Sequence, residues 1–261
     1  MIRLQKDYKI SASEIAKFTK GYMHYKSGFD AIRAKNKPKI PKELDDFNFD
    51  NKEFEKFRKT IHKKEFLQYD NLCKDGKRSM IFASEAGVKL LSNSTRWQSD
   101  GTFFCAPKPF KQAYYIMGGA PGEKLLPVVY ILMQSRTYIA YEDVFSRLKA
   151  CAERYGVSLA PRLVLLDFEK AARKALKFSF PGIKIKGSFF HNKQAFGRWI
   201  FKNGYKVTYA INLEFNKWLN KLASLAIVPI QQIDDAWHLI VSESNLLSDI
   251  NVQRILKYFF T

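Results

Sequence analysis

The spacing of apolar and polar residues changes from helical to strand-like near residue 96. Between residues 11 and 35, apolar residues recur at helical intervals, and Ser11 followed by Glu14 fits a capping box. Residues 36–47 carry two prolines and several charges, which indicates a linker. Residues 80–94 then show the pattern of a strand followed by a short helix.

From residue 96 onwards the pattern alternates between strands and helices. Two β-rich runs separated by a proline-containing turn suit a hairpin, and a third strand follows a glycine-rich turn. Later apolar runs end in an acid or a histidine, and amphipathic segments lie between them. The predicted strands are residues 102–107, 112–119, 124–133, 162–167 and 183–191, and the predicted helices are residues 141–156, 168–176 and 192–205.

This order of elements predicts an α/β fold with a mixed sheet. Strands joined by turns are antiparallel, whereas strands joined through helices are parallel. The order matches the ribonuclease H-like arrangement, a five-stranded sheet with helices on both faces, here with helical N- and C-terminal flanks. We expect a helical and linker region at residues 1–79, the core at residues 80–205 and a helical segment at residues 206–261.

Two aspartates stand at strand boundaries of the predicted sheet. Asp100 lies at the start of a Phe-rich run that we expect to be buried, and Asp167 ends an apolar run. Neighbouring carboxylates repel each other unless a divalent metal lies between them, and Mg²⁺ takes carboxylates, waters and phosphate oxygens as ligands. The pattern leaves two alternatives open: a metal centre, or two local caps, with Asp100 before a turn and Asp167 before a helix.

The charge of the chain points to a polyanionic partner. It has 44 Lys and Arg against 25 Asp and Glu, a formal net charge of +19, and such a field attracts nucleic acid through phosphate contacts. The basic residues are spread along the chain rather than gathered in one amphipathic helix, which disfavours a membrane surface as partner.

Cysteine usage and hydropathy indicate where the protein works. Cys73, Cys105 and Cys151 form no CxxC pair, so we expect a reducing compartment and no structural zinc. The start of the chain is charged from Arg3 onwards, and the longest apolar run, residues 125–133, is too short to cross a bilayer. We expect a soluble, intracellular protein that binds DNA in the nucleus.

Several ordered motifs between residues 80 and 205 resemble a known family. The segments DGTFFCAPKPFKQAYYIMG, LLDFEKAARKAL and FPGIKIKGSFFHNKQAFGRWI are similar to the transposase domain of Mutator-like elements, or MULE transposases. The resemblance implies a DDE enzyme with a ribonuclease H-like fold that cuts and joins DNA using Mg²⁺ or Mn²⁺. It also implies that Asp100 and Asp167 are the first two catalytic, metal-binding acids.

The resemblance assigns a role to His191 as well. The family carries Cys-x-x-His after the fifth strand, and His191 matches this histidine while Ser188 stands at the cysteine position. His191 would support the acidic site or bind a phosphate. From the residue alone, a packed or solvent-facing histidine is the alternative.

The third acid of the family has no counterpart in the chain. The expected Thr-Asn-Asn-x-x-Glu motif does not occur, so the resemblance implies a chain that ends before its third catalytic residue. Glu169 and Glu214 are candidate substitutes, although each fits a surface charge better. With two acids, the second metal position would be weak, and we expect feeble DNA cleavage and strand transfer or none.

DNA binding does not depend on the third acid. Seven basic residues in or beside the predicted core are candidates for phosphate contacts: Lys108, Lys111, Lys170, Arg173, Lys174, Lys193 and Arg198. Double-stranded DNA is the expected partner, and a homodimer is left open. Two alternatives to a transposase are a domesticated, non-catalytic DNA-binding or chromatin protein and a metal-dependent nuclease of the same fold.

Overall fold

The computed structural model describes residues 22–36, 43–45, 47–50, 52–120, 122–244 and 250–259. Seven strands form one sheet within these residues. The strands are β1 (Leu67–Leu72), β2 (Arg78–Ala83), β3 (Arg96–Thr102), β4 (Gln112–Gly118), β5 (Leu126–Met133), β6 (Leu163–Leu166) and β7 (Lys184–Gly187). The helices are α1 (Tyr22–Asn36), α2 (Lys52–Glu55), α3 (Glu85–Asn93), α4 (Tyr138–Arg154), α5 (Lys170–Ser179), α6 (Phe189–Lys202), α7 (Lys206–Ile211), α8 (Leu213–Ser224), α9 (Ile233–Glu243) and α10 (Val252–Lys257).

The sheet is mixed, with the strand order β1-β2-β5-β4-β3-β6-β7. Strands β3, β4 and β5 form an antiparallel meander, while β6 runs parallel to β3 and β7 runs parallel to β6. The prediction of a mixed α/β sheet is therefore confirmed. The count of five was too low, because the β1–β2 hairpin adds two antiparallel strands beside β5.

The first of these extra strands carried little sequence signal. Strand β1 has the sequence LQYDNL, and its residues are partly buried or exposed, so no apolar alternation marks it. Strand β2 overlaps the start of the region predicted as strand and helix, residues 80–94, and begins two residues before it. The predicted helix extends into α1, whereas its first half, residues 11–21, and residues 37–42 of the linker lie outside the described residues.

The two faces of the sheet pack against different parts of the chain. Side chains alternate along β2, so Ile81 and Ala83 join a large core with α3, α4 and α5, whereas Met80 and Phe82 face the opposite side. That opposite side is covered by Leu44 and by three aromatic side chains: Phe47, Phe49 and Phe54, the last of which is in α2. The large core fixes the positions of β3 and β6, the strands that carry the two aspartates.

The C-terminal helices have a core of their own. Residues of α6, α8, α9 and α10 form a second buried cluster, in which Trp218 donates a hydrogen bond from Nε1 to the carbonyl of Ile240 at 2.8 Å. Helix α6 joins both parts, because its first turn follows β7 directly and its later residues Phe196 and Ile200 enter the second cluster. In the part of the chain that is described, no helix is both long and apolar enough to span a membrane.

The prediction of a buried Phe-rich strand after Asp100 is wrong. Strand β3 ends at Thr102, and Phe103 and Phe104 are 48% and 103% exposed. Asp100 therefore lies near the carboxyl end of a strand rather than at the start of one. The buried residues of this strand, Trp97 and Ser99, precede the aspartate.

Candidate functional site

The register of β3 and β6 sets the positions of Asp100 and Asp167. These parallel strands align Arg96 with Leu163 and Gln98 with Leu165. Asp100 lies in β3 and Asp167 directly follows β6. The charge of Asp167 acts on Asp100, so the two carboxylates lie near each other at the carboxyl edge of these neighbouring strands.

Asp100 occupies an environment that disfavours its charge. Its Oδ1 atom is buried and has no hydrogen-bond partner among the described residues, and His191 Nε2 lies 3.5 Å from it. Burial raises the pKa of Asp100, the nearby His191 opposes this shift, and the negative charge of Asp167 adds to it. The backbone N–H of Gly101 also lowers this pKa, but together with His191 it offsets the burial only in part.

The glycine after Asp100 allows a close approach of the neighbouring strand. A Cβ atom at Gly101 would lie 2.9 Å from Oε1 of Gln112, whose side chain is fully buried. Gln112 donates from Nε2 to the hydroxyl of Tyr141 at 2.6 Å. Asp100 thus supplies a carboxylate to the site, and Gly101 leaves the space that the buried side chain of Gln112 occupies.

Ser188 fixes the position of His191 through the start of α6. The Ser188 hydroxyl caps this helix by accepting a hydrogen bond from the backbone N–H of His191 at 3.5 Å. The backbone N–H of Ser188 donates to the carbonyl of Leu166 at 2.8 Å. His191 therefore lies in the first helical turn, and the prediction that it ends a strand at residues 183–191 is wrong.

Glu169 belongs to a network of hydrogen bonds that joins Arg136, Tyr141 and the turn at Asp167. Its Oε1 atom pairs with Arg136 Nε at 3.1 Å, and its Oε2 atom accepts a hydrogen bond from the Tyr141 hydroxyl at 2.9 Å. The backbone N–H of Glu169 donates to Asp167 Oδ1 at 3.1 Å, which closes the turn after β6. Asp167 thus holds a turn, and the alternative that it caps the following helix is wrong, because helix α5 begins at Lys170 with Glu169 as its N-cap residue.

These residues fall within one family match. Residues 96–195 match the family model described as the MULE transposase domain. These residues are similar to that domain, and we call residues 96–195 the MULE domain. The match runs from the start of β3 into α6, so it includes Asp100, Asp167 and His191. It confirms the resemblance seen in the sequence, and no curated protein sequence matches the chain.

The two candidate substitutes for a third acid do not join the aspartates of the MULE domain in a three-ligand group. Glu169 is only 11% exposed and is paired with Arg136, as described above. Glu214 lies on α8, is 66% exposed and pairs with Lys217 on the same helix. Across the described ranges, no group of three or more His, Cys, Asp and Glu residues could hold a metal ion.

The seven basic residues predicted to contact DNA lie on three segments, and all but Arg198 are within the MULE domain. Lys108 and Lys111 lie between β3 and β4, three residues lie in α5, and two lie in α6. Six of the seven are exposed, while Arg173 is half-buried and donates to the carbonyl of Asp167 at 3.4 Å. Arg173 therefore also contributes to the turn that holds Asp167.

Sequence reasoning missed three parts of this site. Gln112, Arg136 and Tyr141 were not singled out, because their contacts with Glu169 and each other join residues 28 to 33 positions apart and have no local pattern. The capping role of Ser188 had a local signal, since serine is a favoured N-cap residue three positions before His191.

Proposed function

We propose that the MULE domain binds double-stranded DNA and cuts and joins its backbone with Mg²⁺ or Mn²⁺ held by Asp100 and Asp167. The observation that carries this proposal is the pair of neighbouring aspartates at the carboxyl ends of the parallel strands β3 and β6. The buried Oδ1 atom of Asp100, without a hydrogen-bond partner among the described residues, supports a cation there. Carboxylate oxygens are the ligands that these hard cations take.

Each residue of the site would have a distinct role. Asp100 and Asp167 would hold the metal, which supplies activation of the attacking hydroxyl and stabilisation of the leaving oxygen. His191 would orient the Asp100 carboxylate or donate a hydrogen bond to a phosphate oxygen. Glu169, held by Arg136 and Tyr141, would fix the turn after β6 and so position the Asp167 carboxylate.

The fold proposed for this domain is ribonuclease H-like. Strands β3 to β7 support it, because three antiparallel strands are followed by two parallel strands reached through helices. The first and fourth of these five strands are neighbours and carry the two aspartates, as that arrangement requires.

DNA binding would rest on phosphate neutralisation by the basic residues around the site. Each phosphate that they contact releases counterions, so affinity should fall steeply as salt is raised. Lys193→Ala should reduce the slope of log K against log salt by about one unit. Lys89→Ala should leave this slope unchanged, because Lys89 pairs with Glu85 on α3. A protein that acts on chromosomal DNA would work in the nucleus.

Calorimetric titration of the full chain with Mn²⁺ tests the metal site. We expect binding that Asp100→Asn and Asp167→Asn each abolish and that Asp235→Asn, an exposed carboxylate on α9, leaves unchanged. Mn²⁺ binding that survives both site substitutions would refute the proposal.

The absence of a three-ligand acidic group in the described residues favours a second function, non-catalytic DNA binding. A plasmid-nicking assay with Mg²⁺ or Mn²⁺ separates the two. Nicking that Asp100→Ala abolishes would support the enzyme. Salt-sensitive DNA binding without Mn²⁺ binding or nicking would support the second function.

A further inference from the structure

Four exposed phenylalanines lie within a few residues of Asp100, Asp167 or His191 in the chain, and we call them the aromatic rim. Their side chains are 48%, 103%, 56% and 67% exposed in the order Phe103, Phe104, Phe168 and Phe190. Large apolar side chains that cluster at the surface usually mark a binding site, whereas single exposed ones need no explanation.

The rim follows from the positions of the site residues in the chain. Phe103 and Phe104 come directly after β3, which carries Asp100, and Phe168 directly follows Asp167. Phe190 precedes His191 in the first turn of α6. The parallel strands β3, β6 and β7 end at one edge of the sheet, so all four rings belong to the edge where the carboxylates lie.

Contacts hold two of these rings in place from one side. The guanidinium of Arg136 lies 4.3 Å from the centre of the Phe103 ring, and that of Arg173 lies 5.8 Å from the centre of the Phe168 ring. Gly187 lets Phe168 approach the backbone, because a Cβ atom there would lie 2.5 Å from Phe168 Cζ. The rings are thus positioned by the protein yet remain about half exposed.

The combination of aromatic rings and positive charge suits nucleotides with unpaired bases. Aromatic side chains stack on any base through its π-face, and cationic groups beside them neutralise the phosphates. Bases in an intact duplex are already stacked on each other and present only their edges in the grooves. Lys108, Lys111 and Lys193 are exposed on the segments that carry or flank the rim.

We propose that the aromatic rim binds unpaired bases of DNA next to the phosphodiester that enters the acidic site. This inference rests on the proposed function and specifies its substrate: DNA that is locally opened, or is single-stranded, at the reacting phosphate. Stacking on the rim would offset part of the cost of unpairing. It would also hold the backbone against the carboxylates.

Binding measurements without divalent metal test the rim separately from catalysis. Fluorescence anisotropy of the full chain is measured with a short duplex and with the same duplex carrying a central unpaired bubble. We expect tighter binding to the bubble, and Phe104→Ala and Phe190→Ala should each weaken bubble binding about fivefold or more. Duplex binding should stay unchanged.

Two further variants separate stacking from folding. Phe104→Trp should keep the bubble preference, because it retains an aromatic face. Phe178→Ala removes a ring that is 64% exposed at the other end of α5 and should leave both affinities unchanged. Thermal melting of all four variants checks that they fold.

The possible results have different meanings. An unchanged bubble affinity in both alanine variants, or an equal loss for bubble and duplex, would overturn the inference while DNA binding itself stands. Loss of self-association in the alanine variants with unchanged bubble affinity would overturn it in favour of a protein contact. Failure of the wild-type chain to bind either DNA would overturn the proposed function as well.

Discussion

Replacing Asp100 with asparagine should have opposite effects on stability with and without metal. The pKa of Asp100 is raised by burial and by the charge of Asp167, so the ionised carboxylate destabilises the folded state. The contribution of Asp100 to stability is therefore fully present below the ordinary aspartate pKa and is lost as pH rises through the raised pKa. At neutral pH, Asp100→Asn should stabilise the metal-free protein.

The size of this effect follows from the sheet geometry. Neighbouring strands lie about 4.8 Å apart, and two like charges at about 5 Å repel by about 0.8 kcal/mol in water and about 3 kcal/mol at an effective dielectric constant of 20. The Asp100 side chain is 37% exposed, so solvent screening favours the lower end, about 1 kcal/mol. The attraction to His191 is larger than this repulsion and is lost too, so a net gain depends on relief of the desolvation of the carboxylate, and about 1 kcal/mol is an upper value.

Thermal denaturation in EDTA and in Mn²⁺ measures both effects. In EDTA at neutral pH, Asp100→Asn should raise Tm by about 2–4 °C or less. At a Mn²⁺ concentration about 100 times its Kd, the wild-type chain should gain about 2.7 kcal/mol, and the variant should gain almost nothing. A variant that is less stable in EDTA, or one that gains as much from Mn²⁺ as the wild type, would refute this reasoning.

Three further substitutions test how the site is held. Ser188→Ala removes the N-cap of α6 and should cost about 1 kcal/mol in urea unfolding; Ser188→Asp should restore most of it, and an unchanged midpoint for Ser188→Ala would contradict the capping role. Tyr141→Phe removes the buried hydroxyl that links the glutamine and the glutamate behind the aspartates, and we expect a loss of about 1–3 kcal/mol; a neutral effect would mean that the network adds no stability. Gly187→Ala should displace the ring of Phe168 and lower Tm, whereas Gly197→Ala, in α6 with no atom within 4 Å of its added Cβ, should raise stability slightly. Equal melting temperatures for the two glycine variants would contradict the close packing at Gly187.

Much of the strand order could be predicted from the sequence because the buried strands have distinct patterns. Strand β6 is a continuous apolar run, and β5 lies within another, so both were expected from hydrophobicity alone. The polar edge strand β1 has no such pattern, since it pairs on one side only and is partly exposed. Its place in the sheet depends on pairing with β2, which no local signal reveals.

The site could be predicted in part for a similar reason. Asp100 and Asp167 are as far apart in the chain as the paired residues of β3 and β6, such as Arg96 and Leu163. Predicting that these two strands are parallel neighbours was therefore enough to expect the two side chains close together. The exposure of Phe103 and Phe104 does not follow from the sequence, because the β-rich run at residues 102–107 predicts a strand, whereas β3 ends at Thr102. The position of His191 was missed because helix α6 begins earlier than its apolar spacing suggested, at the cap formed by Ser188.

The parallel pairing of β3 and β6 also determines which changes in chain length this domain can tolerate. Residues 103–162 connect the two strands, and extra residues in the loops among them would leave the alignment of the aspartates intact. One residue inserted within β6 would instead turn Asp167 to the opposite face of the sheet. Natural insertions in related chains should therefore collect in those loops and spare the short stretch from Leu163 to Asp167.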